Sequence, residues 1–186
     1  MLRELEQVDV AVYHAIEATP TPLIDEPLQR LSNLASHAKL YLLIAALLAA
    51  FGGPKGRRAA VTGVIAVGID SAIVNIPMKF LGGRARPTPG TVRVSEARRV
   101  RMPTSTSFPS GHSASGFAFA AGVAEALPQL GVPLRGLATV VAYSRVHCGV
   151  HYPGDVIAGS LVGMAVGEGT ARTARLLRRR LPGRST

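Results

Sequence analysis

Three short stretches carry residues whose types and spacing suit the transfer of a phosphoryl group. The first runs from Lys79 through Gly82, Gly83 and Arg84 to Arg86-Pro87; the second is Pro109-Ser110-Gly111-His112; the third joins Ser144-Arg145 to His151 and Asp155. Lys79, Arg86 and Arg145 offer three cations, and a phosphoryl group in transfer has three non-bridging oxygens whose charge must be stabilised. Arginine meets such oxygens in bidentate fashion, whereas lysine acts as a point charge. Ser110 and Gly111 fall where a helix is expected to start, and the free N–H groups and positive dipole end of a helix N-terminus favour an anion. Gly111 also allows close backbone approach.

Two imidazoles complete the set. Covalent hydrolysis needs a nucleophile and a group that protonates the leaving oxygen, and histidine serves either purpose near neutral pH. Asp155 lies four residues after His151, a spacing that lets its carboxylate hold one ring N–H and leave the other nitrogen free. The residues alone leave open which of His112 and His151 attacks and which donates the proton.

The elements that must position these groups are apolar. The chain is 47% hydrophobic with only 17% charged residues, below the roughly 25% of soluble domains, which favours a membrane bundle. Apolar runs lie at about 35–52, 59–79, 113–130, 134–150 and 155–172, each approaching the ~20 residues that cross a hydrocarbon core. Gly and Ala are frequent within them, as where helices pack closely in lipid. Ahead of them, Leu2, Leu5, Val8, Val12 and Ile16 recur at helical spacing with Glu4, Glu6, Asp9 and Glu17 between, the pattern of an amphipathic helix lying in the interface. The opening Met1–Val10 is too acidic for a cleaved signal peptide. The expected fold is therefore all-α: a polytopic membrane bundle of about five transmembrane helices with an N-terminal interfacial helix. It divides into an interfacial segment 1–34, a catalytic bundle 35–172 and a basic tail 173–186.

Net charge is +10. Nucleic acid is disfavoured as the partner, because the basic residues sit between apolar runs without interleaved aromatics. Lys55, Arg57, Arg58, Arg135 and the arginine-rich tail share one face. The positive-inside rule makes that face cytoplasmic and the three motif stretches extracytoplasmic, in the cell membrane. The tail is expected to rest on anionic headgroups. The other loop arginines, Arg84, Arg93, Arg98, Arg99 and Arg101, break the charge asymmetry and are explained if some bind phosphate. A single cysteine, Cys148, excludes an internal disulfide and a cysteine zinc site.

Taken together, Lys-x6-Arg-Pro, Pro-Ser-Gly-His and Ser-Arg-x5-His-x3-Asp resemble the signature of the type-2 phosphatidic acid phosphatase superfamily, across roughly residues 35–172. The resemblance implies a lipid phosphatase needing no metal and no cofactor. It implies that His151 forms a phosphohistidine, that Asp155 orients it, that His112 protonates the leaving group, and that Lys79, Arg86, Ser110, Gly111 and Arg145 bind phosphate. Size and composition are similar to short actinobacterial members acting on polyprenyl-linked phosphates of cell-wall synthesis; glycerolipid phosphates are the alternative substrates. A vanadate-dependent oxidase on the same constellation and a non-catalytic lipid-binding protein are the competing classes.

Single residues also have plain structural explanations. Lys79 and Arg86 alone would pass as interfacial anchors, Pro109-Ser110-Gly111 as a turn and cap, and Asp155 as an N-cap. His147 and Cys148 are expected to pack beside the site without acting, and His14 and His37 to be solvated. Asp70, costly mid-span, is expected to meet Asn75, and Glu125 and Glu168 to pair with Arg135 or Arg172.

Overall fold

The computed structural model describes residues 2–88 and 96–180, so Arg93 and Arg184 lie outside the described residues. Every regular element among them is helical: α1 (Leu2–Ala18), α2 (Pro22–Leu34), α3 (Lys39–Phe51), α4 (Gly53–Ile73), α5 (Lys79–Gly82), α6 (Gly111–Ala124), α7 (Gly131–His147) and α8 (Pro153–Arg180). A π turn, Val74–Met78, joins α4 to α5 without a break. It contains Pro77, whose missing N–H removes one rung of the helical ladder and lets the turn widen. Gly83, in the left-handed region at φ 50°, ends the element and releases the chain toward Arg84 and Arg86.

Helix α6 sits at the centre, packed against α4, α7 and α8. It is apolar all round, as a fully surrounded helix must be: Ala114, Ala118, Phe119, Ala120, Ala121 and Val123 are buried. Phe119 meets Tyr41 of α3 with ring centres 5.5 Å apart, inside a core that includes Ala59, Ala60, Val67 and Val141. A smaller cluster fastens α1 to the bundle through Tyr13, Ala142, Val146 and Val156.

The closest contact runs between α6 and α8, which lie parallel. A Cβ on Gly159, Gly163 or Gly167 would come within 2.4, 2.0 and 2.6 Å of the carbonyl oxygens of Ser110, Ala114 and Ala118. Only glycine at these positions lets two backbones touch in this way. At the starting end of the pair, the Ser110 N–H donates to the Asp155 carbonyl at 2.9 Å. The two helices therefore begin in register.

Several boundaries differ from the apolar runs. The run 113–130 stops as an α-helix at Ala124, because Leu127 precedes Pro128 and a pre-proline residue disfavours the helical region. The run 35–52 begins with a bend instead of a helix: a single 3₁₀ turn, Ser36–Ala38, turns α2 from α3 by 67°. His37 and Ala38 there adopt φ of 55° and 57°, a left-handed conformation costing a non-glycine residue about 1–2 kcal/mol. The basic stretch after 172 continues α8 to Arg180.

Among the described residues, one helix, Gly53–Gly82, is long and apolar enough by itself to cross a membrane; the bent pair Pro22–Leu34 and Ser36–Phe51 could form a second, broken span. Helices α3, α6 and α7 have 13, 14 and 17 residues, about 20–26 Å at 1.5 Å per residue, against a hydrocarbon core of about 30 Å. Helix length alone does not reach the expected five spans.

Replacing Gly163 by valine should lower stability by about 2 kcal/mol or more, because the added atoms meet fixed backbone. Gly169→Ala on the same helix, where a Cβ meets nothing within 4 Å, should be neutral or stabilising. Thermal unfolding of the two purified variants checks the contrast; equal melting temperatures would show that the α6–α8 contact tolerates separation.

Candidate active site

The third motif stretch is built by the end of α7 and the start of α8. Arg145 occupies the last turn of α7. Gly149 then turns the chain at φ 71°, and the N–H groups of Val150 and His151 both return to the Arg145 carbonyl, at 3.1 and 3.3 Å. Pro153 opens α8 and places Asp155 in its first turn.

His151 is 2% exposed. Its Nδ1 lies 3.6 Å from Asp155 Oδ2, an ion-pair distance and too long for a hydrogen bond. Ser107 closes the gap: its hydroxyl donates to Asp155 Oδ2 and sits 3.3 Å from His151 Nδ1. The other ring nitrogen, Nε2, faces Arg86 Nη1 at 3.3 Å. Burial pushes the imidazole down to about 4, with the Arg86 and Arg145 cations adding to the shift and Asp155 opposing it. A neutral imidazole with one nitrogen held on the carboxylate side and the other turned toward cations has the form of a nucleophile for an anionic electrophile.

Asp155 is wholly buried and fully engaged. Oδ2 also accepts from the Tyr152 N–H at 2.9 Å, and Oδ1 accepts from Arg84 Nη1 at 3.0 Å. Arg84 in turn binds Asp9 of α1 at 2.6 Å and lies 4.1 Å above the Tyr152 ring. Burial alone would lower its pKa, but Asp9 and Asp155 outweigh burial and raise it. Asp9 also accepts from the Gly154 N–H at 2.6 Å. Arg84 is therefore spent on two carboxylates instead of facing a phosphate, and α1 touches the start of α8 at the site.

Arg86 donates to Ser105 O at 2.8 Å, Thr106 O at 3.1 Å and Val150 O at 2.7 Å. Lys79 Nζ shares Ser105 Oγ with it, both at 3.2 Å. Arg145, 2% exposed, donates through Nη1 to Ser32 Oγ at 2.5 Å. Its Nε has no hydrogen-bond partner among the described residues, and no ion pair to Arg145 is found among them. A buried guanidinium without a counter-ion is costly and suits an anion that arrives from outside. Ser110 is buried at the head of α6, and its hydroxyl accepts from Ser113 at 3.1 Å. Gly111 and His112 follow in the first turn, where N–H groups have no helical partner. His112 Nε2 lies 3.3 Å from Ser36 Oγ; burial, with the charges of Arg145, His151, Lys79 and Arg86 added, pushes its imidazole well below the usual range. All eight motif residues thus face one region at one end of the bundle, joined directly or through Ser32, Ser36, Ser105 and Ser107.

Nothing in the sequence pattern assigns those four serines or Asp9 to the site, and Arg84, a candidate phosphate ligand by its place in the loop, serves the carboxylate instead. The run Thr104-Ser105-Thr106-Ser107 just ahead of the second motif was the one legible signal, a hydroxyl cluster with no apolar pattern. Other residues resolve as follows. His147 is a buried structural group, 3.0 Å from Asp25. Asp25 also binds Arg98 at 2.8 Å, so Arg98 is likewise not free for phosphate. Asp70 accepts from Ser115 at 3.1 Å and not from Asn75, whose side chain lies beside Gly111. Glu168 pairs with Arg172 at 3.4 Å as expected, while Glu125 takes Arg178. His14 bonds Glu17 at 3.1 Å, and His37 is exposed. No group of three or more His, Cys, Asp or Glu among the described residues could hold a metal ion.

Arg84→Met should reduce kcat about 10–100-fold, since small misplacements of reacting groups cost that much, with KM changed far less; unaltered turnover would show that Asp155 does not need this support. The histidine yields a second expectation. Its pKa is about 4 in the fold against 6.5 unfolded. The unfolded chain therefore binds more protons in that window, and the stability from a neutral His151 is lost as pH falls from 6.5 toward 4. Wild type should lose more melting temperature over this range than His151→Gln; parallel curves would contradict the assignment.

Comparison with known proteins agrees with this geometry. The model of the PAP2 superfamily matches residues 40–179. The chain is 34% identical over 165 residues to the decaprenylphosphoryl-5-phosphoribose phosphatase of Mycobacterium tuberculosis, covering 86% of each protein. It is 32% identical over 158 residues to that of Mycolicibacterium smegmatis, covering 83% of this chain and 80% of the relative. Among solved structures, the transmembrane PAP2 type phosphatidylglycerolphosphate phosphatase of Bacillus subtilis superposes with a TM-score of 0.72 at 21% identity, covering 95% of this chain and 89% of that one. LpxE of Aquifex aeolicus gives 0.70 at 23% identity, covering 89% and 95%. The match along nearly the whole helical bundle, with every motif residue gathered at one end of it, makes this chain a member of the PAP2 superfamily and a phosphoric ester hydrolase.

Proposed function

We propose that the protein is an integral-membrane lipid phosphatase that hydrolyses a terminal phosphate monoester or diphosphate through a phosphohistidine on His151. The observation that carries this reading is Arg145: a buried guanidinium whose Nε is unpartnered and which has no counter-ion among the described residues, beside Lys79, Arg86 and a neutral imidazole. The phosphate takes the place of the missing anion. Its oxygens exchange with the serine and carbonyl partners that now hold Lys79, Arg86 and Arg145, and with the first-turn N–H groups of Gly111 and His112. His151 Nε2 attacks phosphorus while Asp155, through Ser107, holds the Nδ1 proton. His112 takes up a proton as the anionic phosphate enters among the cations, and gives it to the leaving oxygen as the phosphorus–oxygen bond breaks. Water then loses a proton to His112, attacks the phosphohistidine, and releases inorganic phosphate and free His151. No step calls for a metal or a cofactor.

The preferred substrate is a polyprenyl-linked sugar phosphate, decaprenylphosphoryl-5-phosphoribose, the compound named for the mycobacterial relatives. Polyprenyl diphosphate, phosphatidylglycerophosphate and phosphatidic acid are the competing substrates. The bilayer location rests on Gly53–Gly82 and on exposed apolar side chains facing outward from several helices. Leu43 and Leu47 on α3, Val61, Ile65 and Ile69 on α4, Val140 on α7 and Ile157 and Leu161 on α8 are examples, an exposure that a soluble monomer avoids. On this reading the five apolar runs span together, the shorter helices with thinner apolar faces or local bilayer adjustment. Arg178 meets Glu125 at the far end of α6 from His112, which puts the arginine-rich end of α8 opposite the site. With arginines favouring the cytoplasmic side, this arrangement supports an extracytoplasmic site, with the tail on anionic headgroups.

Purified protein should release phosphate from lipids in this panel, with turnover intact in chelator and inhibited by vanadate, which mimics a five-coordinate phosphoryl group. His151→Ala should abolish release and His112→Ala should lower it by about 10²–10⁴-fold. Wild-type turnover by His151→Ala, or a chelator loss that only added metal restores, would falsify the scheme.

A further inference from the structure

Apart from His112, which protonates the leaving oxygen, the motif residues are assigned to the phosphate and not to the alcohol from which it is cleaved. One contact does point to that side. His112 Nε2 lies 3.3 Å from Ser36 Oγ, in the bend between α2 and α3. The Ser36 hydroxyl has one hydrogen, and it is donated to the Ser32 carbonyl at 3.2 Å. Toward His112 the oxygen is therefore the acceptor, and His112 carries its proton on Nε2. A leaving oxygen also accepts from that N–H. Ser36 Oγ thus stands beside the place where the departing oxygen must come.

The surroundings fit a built feature. Ser32 is fully buried and its own hydroxyl accepts from Arg145, so the last turn of α2 touches both a phosphate-binding cation and the proton donor. The bend that follows holds two consecutive non-glycine residues, His37 and Ala38, at positive φ. Conformations of that kind persist where the surrounding structure over-determines them, and they gather at ligand sites. His37 is exposed on the outer side of the bend.

We propose that the α2–α3 bend is the leaving-group subsite, and that Ser36 Oγ selects alcohols carrying a hydroxyl close to the cleaved ester. This rests on the lipid-phosphatase reading and on His112 as the proton donor. When substrate binds, the ester oxygen takes the Nε2–H from Ser36. Ser36 Oγ, its hydrogen still on Ser32, is left as a half-buried acceptor that needs a donor. A hydroxyl close to the cleaved ester, on the next carbon of a glycerol or on C3 of a ribose 5-phosphate, supplies one. The leaving group of a polyprenyl diphosphate is itself a phosphate, which brings acceptors and negative charge and no donor. A site built to hydrogen-bond a substrate hydroxyl discriminates against a substrate without it. The bond cleaved is still phosphorus to oxygen, the proton still comes from His112, and the products are a polyol lipid and, after hydrolysis, inorganic phosphate.

The test compares kcat/KM of the full-length protein on phosphatidylglycerophosphate, whose leaving alcohol has an adjacent hydroxyl, and on farnesyl diphosphate, whose leaving group has none. Wild type should favour the former. Ser36→Ala should shift the ratio of the two constants toward farnesyl diphosphate by about tenfold, and Ser36→Thr, which restores the hydroxyl, should bring it back. A wild type that favours farnesyl diphosphate, or a Ser36→Ala variant that loses the same factor on both substrates, overturns the subsite while leaving the phosphatase reading in place. A wild type that releases phosphate from neither lipid nor from decaprenylphosphoryl-5-phosphoribose, or releases it equally with His151→Ala, overturns both.

Discussion

The backbone contact between α6 and α8 is the constraint on which the site depends. Glycines at 159, 163 and 167 bring α8 onto the carbonyls of Ser110, Ala114 and Ala118, and the Ser110–Asp155 hydrogen bond sets the axial register. One motif heads each of these two parallel helices. Pro-Ser-Gly-His therefore meets His-x3-Asp because the glycines admit the close approach and the Ser110–Asp155 bond joins the two helix starts. In a bilayer, where apolar side chains gain nothing by leaving lipid, packing of this closeness is the main force that holds helices together.

Around that contact the charges are arranged in two layers with opposite balance. Near His151 Nε2 the cations Lys79, Arg86 and Arg145 are held by serines and carbonyls, all neutral acceptors that an anion can replace. Near Nδ1 the carboxylate is saturated by Ser107, the Tyr152 N–H and Arg84, and Arg84 is balanced by Asp9. The imidazole stands between a region lacking negative charge and one already neutralised. This asymmetry gives the two ring nitrogens different work.

The outer helices take part in the site. Through Asp9, α1 reaches Arg84 and Gly154. Through Ser32, α2 holds Arg145, and at the bend that follows it Ser36 meets His112. Asp25 ties Arg98 and His147 into the same end of the bundle. A segment with the pattern of an interfacial helix thus also supports the motif residues from behind.

The sequence by itself determined which residues gather and what chemistry they suit. Lys79, Arg86, Ser110, Gly111, His112, Arg145, His151 and Asp155 were legible because each motif has fixed internal spacing and sits at the edge of an apolar run, so local geometry alone orders it. The helical class followed from the same runs. Only the tertiary structure decided the supporting contacts. Asp9, Ser32, Ser36 and Ser107 meet their partners across 44 to 145 positions of chain, and no periodicity encodes a contact between helices. It also decided the fate of the loop arginines, since Arg84 and Arg98 look like phosphate ligands until a carboxylate from another helix is seen beside each. The helix limits at Ala124 and Ala38 likewise depend on local breaks, a proline and a left-handed bend, that hydropathy averages away.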